Sequence, residues 1–138
     1  MNFTRFSITF SVLLYAVAVP ILEINDTHVF NPDWTPHVRI HEVWQLITNS
    51  SLGVFSLWLT WKNGKHIFAS VISILITGGF LVAYSIQDLY GGSMKYLDGS
   101  EKVVLGINIG VLGFGVAIIF LIIGLFTHKR YHINGKDW

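Results

Sequence analysis

Four long apolar stretches dominate this chain and leave only short polar segments between them. They cover residues 6–22, 43–61, 67–89 and 103–126. Each is close to the roughly 20 residues that an α-helix needs to cross the hydrocarbon core of a bilayer. Because a backbone in lipid must satisfy its own hydrogen bonds, we expect each stretch to form a membrane-spanning helix.

The composition also indicates a membrane protein. Of the 138 residues, 52% are hydrophobic and only 12% are charged, whereas about a quarter of an ordinary soluble domain is charged. The chain has no cysteine, which excludes disulfide exchange, thiolate metal sites and c-type haem attachment. The formal net charge is +1. Since nucleic-acid-binding proteins carry strongly basic surfaces, we expect no nucleic-acid partner.

We therefore predict an all-α fold, with residues 1–138 forming a single integral membrane domain in an up-down-up-down four-helix bundle. Thr35 as N-cap followed by Pro36 is a strong start signal for the second helix. The first segment contains Ala16-Val17-Ala18, which resembles a signal-peptide cleavage site, but we interpret it as the first spanning helix. The four helices are expected over about residues 3–22, 36–61, 66–89 and 101–127.

The basic residues predict the orientation in the membrane. Six of the nine lie at the two termini and in the short loop after the second helix, and three lie on the opposite side. Basic residues favour the cytoplasmic side, so both termini are predicted to be cytoplasmic. The six are Arg5, Lys62, Lys65, Lys129, Arg130 and Lys136.

The entry to the second helix is the most polar segment beside a membrane span. Ionisable groups there are costly and usually functional. His37 and His41 are four residues apart, and further polar residues continue along the same helical face. We predict that this face lines a cavity inside the bundle, open to the outer leaflet. The face comprises His37, His41, Gln45, Thr48, Asn49 and Ser56.

Acid–base catalysis on an apolar, lipid-soluble substrate is the first functional hypothesis. His41 with Asp88 or Glu42 would transfer protons near neutral pH, which suits an isomerisation or a cyclisation. The predicted substrate-binding residues are the other polar groups expected at the same depth in the membrane. They are His37, Arg39, Gln45, Asn49, Tyr84 and Asn108.

Two other hypotheses fit the same residues. Two histidines four apart on a helix suit one metal ion, so His28, His37 and His41 are candidate ligands, with Asp88 as an alternative to His28. The protein would then be a metal-dependent membrane oxidoreductase or a metal-handling protein, and its cofactor is otherwise unknown. The third hypothesis is a non-catalytic subunit of a membrane complex, whose polar face docks a partner.

Glycines in the fourth apolar stretch predict close helix packing. Gly106 and Gly110 form a GxxxG pattern, in which small residues let two helices approach closely in lipid. Packing within the bundle is the first interpretation, and contact between copies of the chain in a homo-oligomer is the alternative.

The run His28-x-x-Asn31-Pro32-x-Trp34-x-Pro36-His37-x-Arg39-x-His41 resembles a signature of small four-helix membrane proteins of bacteria and fungi. The overall plan is similar to the DoxX-like proteins and, more distantly, to the sterol-isomerase-like (emopamil-binding) bundles. These resemblances imply a four-helix membrane fold. The isomerase-like families also imply an interior pair of acids acting on a lipid-like substrate, but no catalytic residue is carried over from them.

Overall fold

The computed structural model describes residues 2–96 and 98–133, with residues 129–133 described by their backbone alone. Most of this part of the chain is helical, and four long helices account for it. They are α1 (Phe3–Glu23), α2 (Pro36–Trp61), α3 (His66–Ser85) and α4 (Ile109–Ile133). A 3₁₀ turn (Gln87–Leu89) follows α3, and an antiparallel hairpin of β1 (Val103–Val104) and β2 (Ile107–Asn108) precedes α4.

Three of the helices are long and apolar enough to cross a membrane, as judged by length and composition over the described residues. They are the segments Phe3–Glu23, His66–Ser85 and Ile109–His128. Helix α2 is long enough, with 26 residues, but it is not among them, because its polar side chains lower its mean hydropathy.

Helix α1 changes its winding midway and is tied to α2 at that point. It is α-helical over Phe3–Leu13, π-helical over Leu14–Ala18 and α-helical again over Val19–Glu23. Pro20 has no N–H to donate to the carbonyl of Ala16, four residues earlier. Ser50 of α2 donates its hydroxyl to that carbonyl at 3.2 Å, so a neighbouring helix satisfies the group that proline leaves free.

The core lies where α1 meets the other three helices. Its fully buried side chains include Ile8, Val12 and Tyr15 of α1, Ala69 of α3 and Leu121 of α4. Hydroxyl side chains share this buried face: Thr4, Ser7, Ser11, Ser56, Thr60, Ser70, Ser73 and Thr77. Several of them donate to backbone carbonyls, and their small size lets the helices approach closely.

The approach is closest where α1 crosses α2. A Cβ atom added to Gly53 would lie 2.5 Å from Ala16 Cβ and 3.1 Å from Val12 Cγ1. Gly124 of α4 has the same role against α1, because an added Cβ would lie 2.6 Å from Ser7 Oγ. These two glycines, rather than a GxxxG pair, allow the tight packing.

The predicted limits of two helices were wrong. Helix α3 ends at Ser85 rather than at about 89, and Tyr90 folds back to donate its hydroxyl to the Ala83 carbonyl at 2.9 Å. This carbonyl also accepts from the N–H of Ile86 at 3.3 Å, so two donors meet in the last turn of the helix. Helix α4 begins at Ile109 rather than at about 101, and it continues to Ile133 rather than ending at about 127.

The hairpin before α4 explains the late start of that helix. Leu105 and Gly106 have φ values of 54° and 78°, and a two-residue turn with both φ values positive reverses an antiparallel pair. Gly106 therefore lies in a turn and not on a helix, so the predicted Gly106–Gly110 packing is wrong. Of these two glycines, only Gly110 packs closely, since an added Cβ would lie 3.1 Å from Phe80 Cζ.

Candidate functional site

Glu23, the last residue of α1, is paired with His28 in the loop that follows. The distance from His28 Nε2 to Glu23 Oε2 is 2.9 Å. The loop folds back over the end of α1, because the N–H of Val29 donates to the Glu23 carbonyl at 3.1 Å and the N–H of Phe30 donates to the Asn25 carbonyl at 2.9 Å. The two side chains keep 24% and 27% of their surface exposed, so the pair is held in place and is still accessible.

The hydrogen bonds around His28 determine where one of its protons lies. The backbone N–H of Thr27 donates to Asn25 Oδ1 at 2.8 Å, and the Thr27 hydroxyl donates to the same oxygen at 2.7 Å. That hydroxyl has only one hydrogen, so its oxygen can only accept from another group. His28 Nδ1 lies 2.8 Å from it, so the tautomer that satisfies both contacts of the hydroxyl carries its proton on Nδ1.

With Nδ1 protonated, a hydrogen bond across the 2.9 Å contact between His28 Nε2 and Glu23 requires one further proton. A neutral imidazole can accept it from a protonated carboxyl group, or an imidazolium can donate it to a carboxylate, and both forms contain the same number of protons. Partial burial lowers the pKa of His28, Glu42 opposes this, and Lys102 adds to it. This environment favours the neutral imidazole, so the pair is a base next to an acid.

Aromatic rings surround the pair. The Trp34 ring lies edge-on to the His28 ring at 5.7 Å between centroids, and the Tyr96 ring does so at 6.3 Å. Lys102 Nζ lies 5.5 Å from the centre of the Tyr96 ring. Tryptophan and tyrosine are the residue types that membrane proteins favour at the interface between lipid and water.

Buried Asn31 organises the loop that carries His28. Its side-chain amide donates to the Thr27 carbonyl at 3.1 Å, and its Oδ1 accepts from the N–H of Asp33 at 2.9 Å. Thr35 then caps α2 by accepting from the N–H of Val38 at 3.3 Å. The asparagine and the cap fix the path of the chain from His28 to the second helix.

The predicted catalytic residues are only partly associated with this pair. Glu42 is half-buried and acts electrostatically on His28. His41 is exposed on α2, and Asp88 is exposed in the 3₁₀ turn after α3. Within the described residues, His41, Glu42 and Asp88 make no hydrogen bond or ion pair with one another. Glu23 was missed, although a lone acid at the end of an apolar helix could have indicated it.

The polar face of α2 points away from the core, and the prediction that it lines the bundle interior was wrong. His37, His41, Gln45 and Thr48 are exposed, Asn49 is half-buried, and Ser56 alone of the predicted face is buried. The buried residues of α2 are instead Leu46, Gly53, Ser56, Leu59 and Thr60. Small and apolar side chains thus fill the contact with the other helices, and the larger polar ones lie on the outside.

An open groove lies on this outer face of α2. It has a volume of about 320 Å³ and is lined by His41, Trp44, Gln45, Thr48 and Asn49. Beside it, the Nε2 atoms of His37 and His41 lie 3.1 Å apart, so one imidazole donates to the other. The groove contains three of the predicted site residues, His41, Gln45 and Asn49, but Tyr84 and Asp88 do not line it.

The remaining predicted substrate-binding residues are placed elsewhere. Arg39 and Tyr84 are half-buried. Asn108 is buried and has a structural role, since it donates to Glu101 Oε1 at 3.0 Å and accepts from the N–H groups of Gly110 and Val111. It caps the start of α4 instead of facing a cavity.

The predicted metal ligands do not form a site. Among the described residues, no group of three or more histidine, cysteine, aspartate or glutamate side chains could hold a metal ion. His37 and His41 pair with each other, whereas His28 contacts Glu23 and Thr27. The metal prediction rested on helical spacing, and that spacing does not indicate that His28 turns back towards α1.

Neither a family model, a curated protein nor a solved structure matches this chain. The resemblance to the DoxX-like and sterol-isomerase-like bundles is therefore an untested prediction, and the site must be interpreted from its own geometry.

Proposed function

We propose that this chain is a four-span membrane protein whose Glu23–His28 pair catalyses acid–base chemistry on a lipid-soluble substrate. The 2.9 Å contact between His28 Nε2 and Glu23 Oε2 is the observation that carries the proposal. An acid next to a base, half-exposed at the end of an apolar helix, suits a substrate that approaches from the bilayer.

The proposed topology is an up-and-down bundle with both termini in the cytoplasm. Two contacts support the antiparallel arrangement, because each joins the first half of α1 to the second half of another helix. Thr4 donates to the Gly124 carbonyl of α4 at 2.9 Å, and Trp61 Nε1 of α2 donates to Thr9 Oγ1 at 3.2 Å. The bias of basic residues supports the orientation. Reporter fusions after residue 138 and in the loop near residue 93 should report opposite sides of the membrane, the first cytoplasmic. The same side for both would contradict the proposed topology.

The proposed reaction is the isomerisation of a carbon–carbon double bond. The pair gives its shared proton to one carbon of the double bond and removes a proton from the carbon next to the other end. The double bond moves by one position, and the pair returns to its original protonation state. Protons and electrons balance without a further reactant. Nδ1 keeps its proton throughout, because Thr27 accepts it.

Deuterium incorporation tests this proposal for any lipid-soluble substrate. The purified protein in liposomes is incubated in D₂O with the neutral lipids extracted from its host membrane, and the lipids are analysed by mass spectrometry after exchange back into H₂O. A protein that protonates carbon leaves deuterium on carbon. We expect incorporation into one lipid class, and its loss in His28→Gln and Glu23→Gln.

Asp26→Asn is the matched control, because Asp26 is an exposed acid in the same loop. It should incorporate deuterium as the parent does. Equal incorporation by the parent, His28→Gln and protein-free liposomes would contradict the proposed catalysis.

A further inference from the structure

We propose that the exposed face of α2 binds α2 of a second copy of this chain, forming a parallel two-fold dimer in the membrane. We define this face as the α2 seam: His41, Trp44, Gln45, Thr48, Ser51, Phe55 and Trp58, all of them exposed. The proposal rests on membrane insertion of α2, as in the proposed topology, but not on the acid–base chemistry.

The spacing of the seam is that of a helix pair. Trp44, Thr48, Ser51, Phe55 and Trp58 alternate in steps of four and three residues, which is the spacing of residues that keep facing a partner helix. Thr48 and Ser51 in its middle are small, which allows the two backbones to approach.

The residues that line the groove have the spacing of a hole that receives a side chain from such a partner. Four of its lining residues, His41, Trp44, Gln45 and Thr48, stand at relative positions 0, 3, 4 and 7 along the helix. In knobs-into-holes packing, each side chain enters a hole made by four residues of the facing helix. The position of this groove therefore favours a helix as its occupant.

The polar groups of the seam need partners in lipid. The exposed side chains of Gln45 and Thr48 make no hydrogen bond to the described part of the chain. Polar side chains on a spanning helix are costly unless they face protein or water. A carboxamide or hydroxyl facing lipid thus indicates that another protein surface covers it.

A second copy fits better than an unrelated partner because of depth and charge. Two copies with the same topology place Thr48 beside Thr48 and Ser51 beside Ser51 at equal depth, since both residues follow the spacing that faces the partner. A hydroxyl both donates and accepts hydrogen bonds, so it complements an identical hydroxyl. The lining residues carry no Asp, Glu, Lys or Arg, so a two-fold pairing does not bring like charges together.

Disulfide cross-linking between single-cysteine variants tests the dimer, since the chain has no cysteine of its own. Thr48→Cys, oxidised with copper phenanthroline in native membranes, should give a covalent dimer in most of the protein. Ile47→Cys is the matched control, because Ile47 is exposed at the same depth but outside the seam, and should remain monomeric. A monomeric Thr48→Cys, or equal cross-linking of both variants, would overturn the proposal.

A membrane-impermeant maleimide separates failure of the dimer from failure of the topology. Thr48→Cys that is neither cross-linked nor labelled lies in lipid without a second copy, which overturns the dimer alone. Thr48→Cys that is labelled but not cross-linked faces water, which overturns both the dimer and the α2 span.

A second measurement follows the hydroxyl contact. Energy transfer between labelled copies, diluted with lipid, gives a dissociation constant for the dimer. Thr48→Leu removes one hydroxyl pair and places two bulky side chains where the backbones approach, so it should weaken the dimer about three- to twentyfold. Gln87→Leu, a leucine substitution outside α2 in the 3₁₀ turn, should leave the dissociation constant unchanged. An unchanged dissociation constant in Thr48→Leu would contradict the proposed register.

Discussion

His28 Nε2 lies 2.9 Å from Glu23 Oε2, at the point where the first helix ends and its loop turns back. The pair depends on a local network of Asn25 and Thr27, which fixes one proton on Nδ1 and leaves the other to be shared. Neither residue type is unusual at the end of a membrane helix. Their chemistry comes from the turn that joins them.

Gly53→Ala should destabilise the bundle. The new methyl group would lie 2.5 Å from Ala16 Cβ and 3.3 Å from Tyr15 Cε2, and overpacking of this kind costs about 1–3 kcal/mol. The midpoint of thermal unfolding in detergent should therefore fall. Gly79→Ala is the control, because an added Cβ there meets nothing within 4 Å; it should be neutral or slightly stabilising. Equal midpoints for the two variants would disprove the α1–α2 contact.

Leu105→Asn should stabilise the hairpin before α4. Leu105 has a φ of 54° and is 94% exposed, so it occupies a left-handed conformation without gaining any packing. Asparagine tolerates this conformation, which costs other residues about 1–2 kcal/mol. The unfolding midpoint should rise, and Gly106→Ala, with a φ of 78° at that position, should lower it. A lower midpoint in Leu105→Asn would argue against the two-residue turn.

Sequence reasoning predicted the helices better than the site. The apolar stretches and the Thr35–Pro36 start were enough to place α2, because capping and hydropathy act locally. The hairpin at Leu105 was missed, since a run of apolar residues has no period that separates strand from helix over a few residues. The prediction that the polar face of α2 points inward was wrong, because the small residues Gly53 and Ser56 determine which side of α2 can approach α1 closely.

The candidate pair was missed for a different reason. His28 was recognised as a functional residue, but its partner depends on local hydrogen bonds within the loop, among them those of Asn31. Helical spacing does not place any acidic residue next to His28. Only the reversal of the chain after Glu23 brings the acid and the base together.

The ¹⁵N chemical shifts of the His28 imidazole test the central claim most directly. In the protein labelled with ¹⁵N-histidine and placed in nanodiscs, His28 is assigned as the signal missing from His28→Gln. At neutral pH its Nδ1 should be protonated, and Thr27→Val, which removes the acceptor of that proton, should abolish this preference. An unprotonated Nδ1 in the parent, with the only proton on Nε2, would contradict the shared proton and the acid–base function built on it.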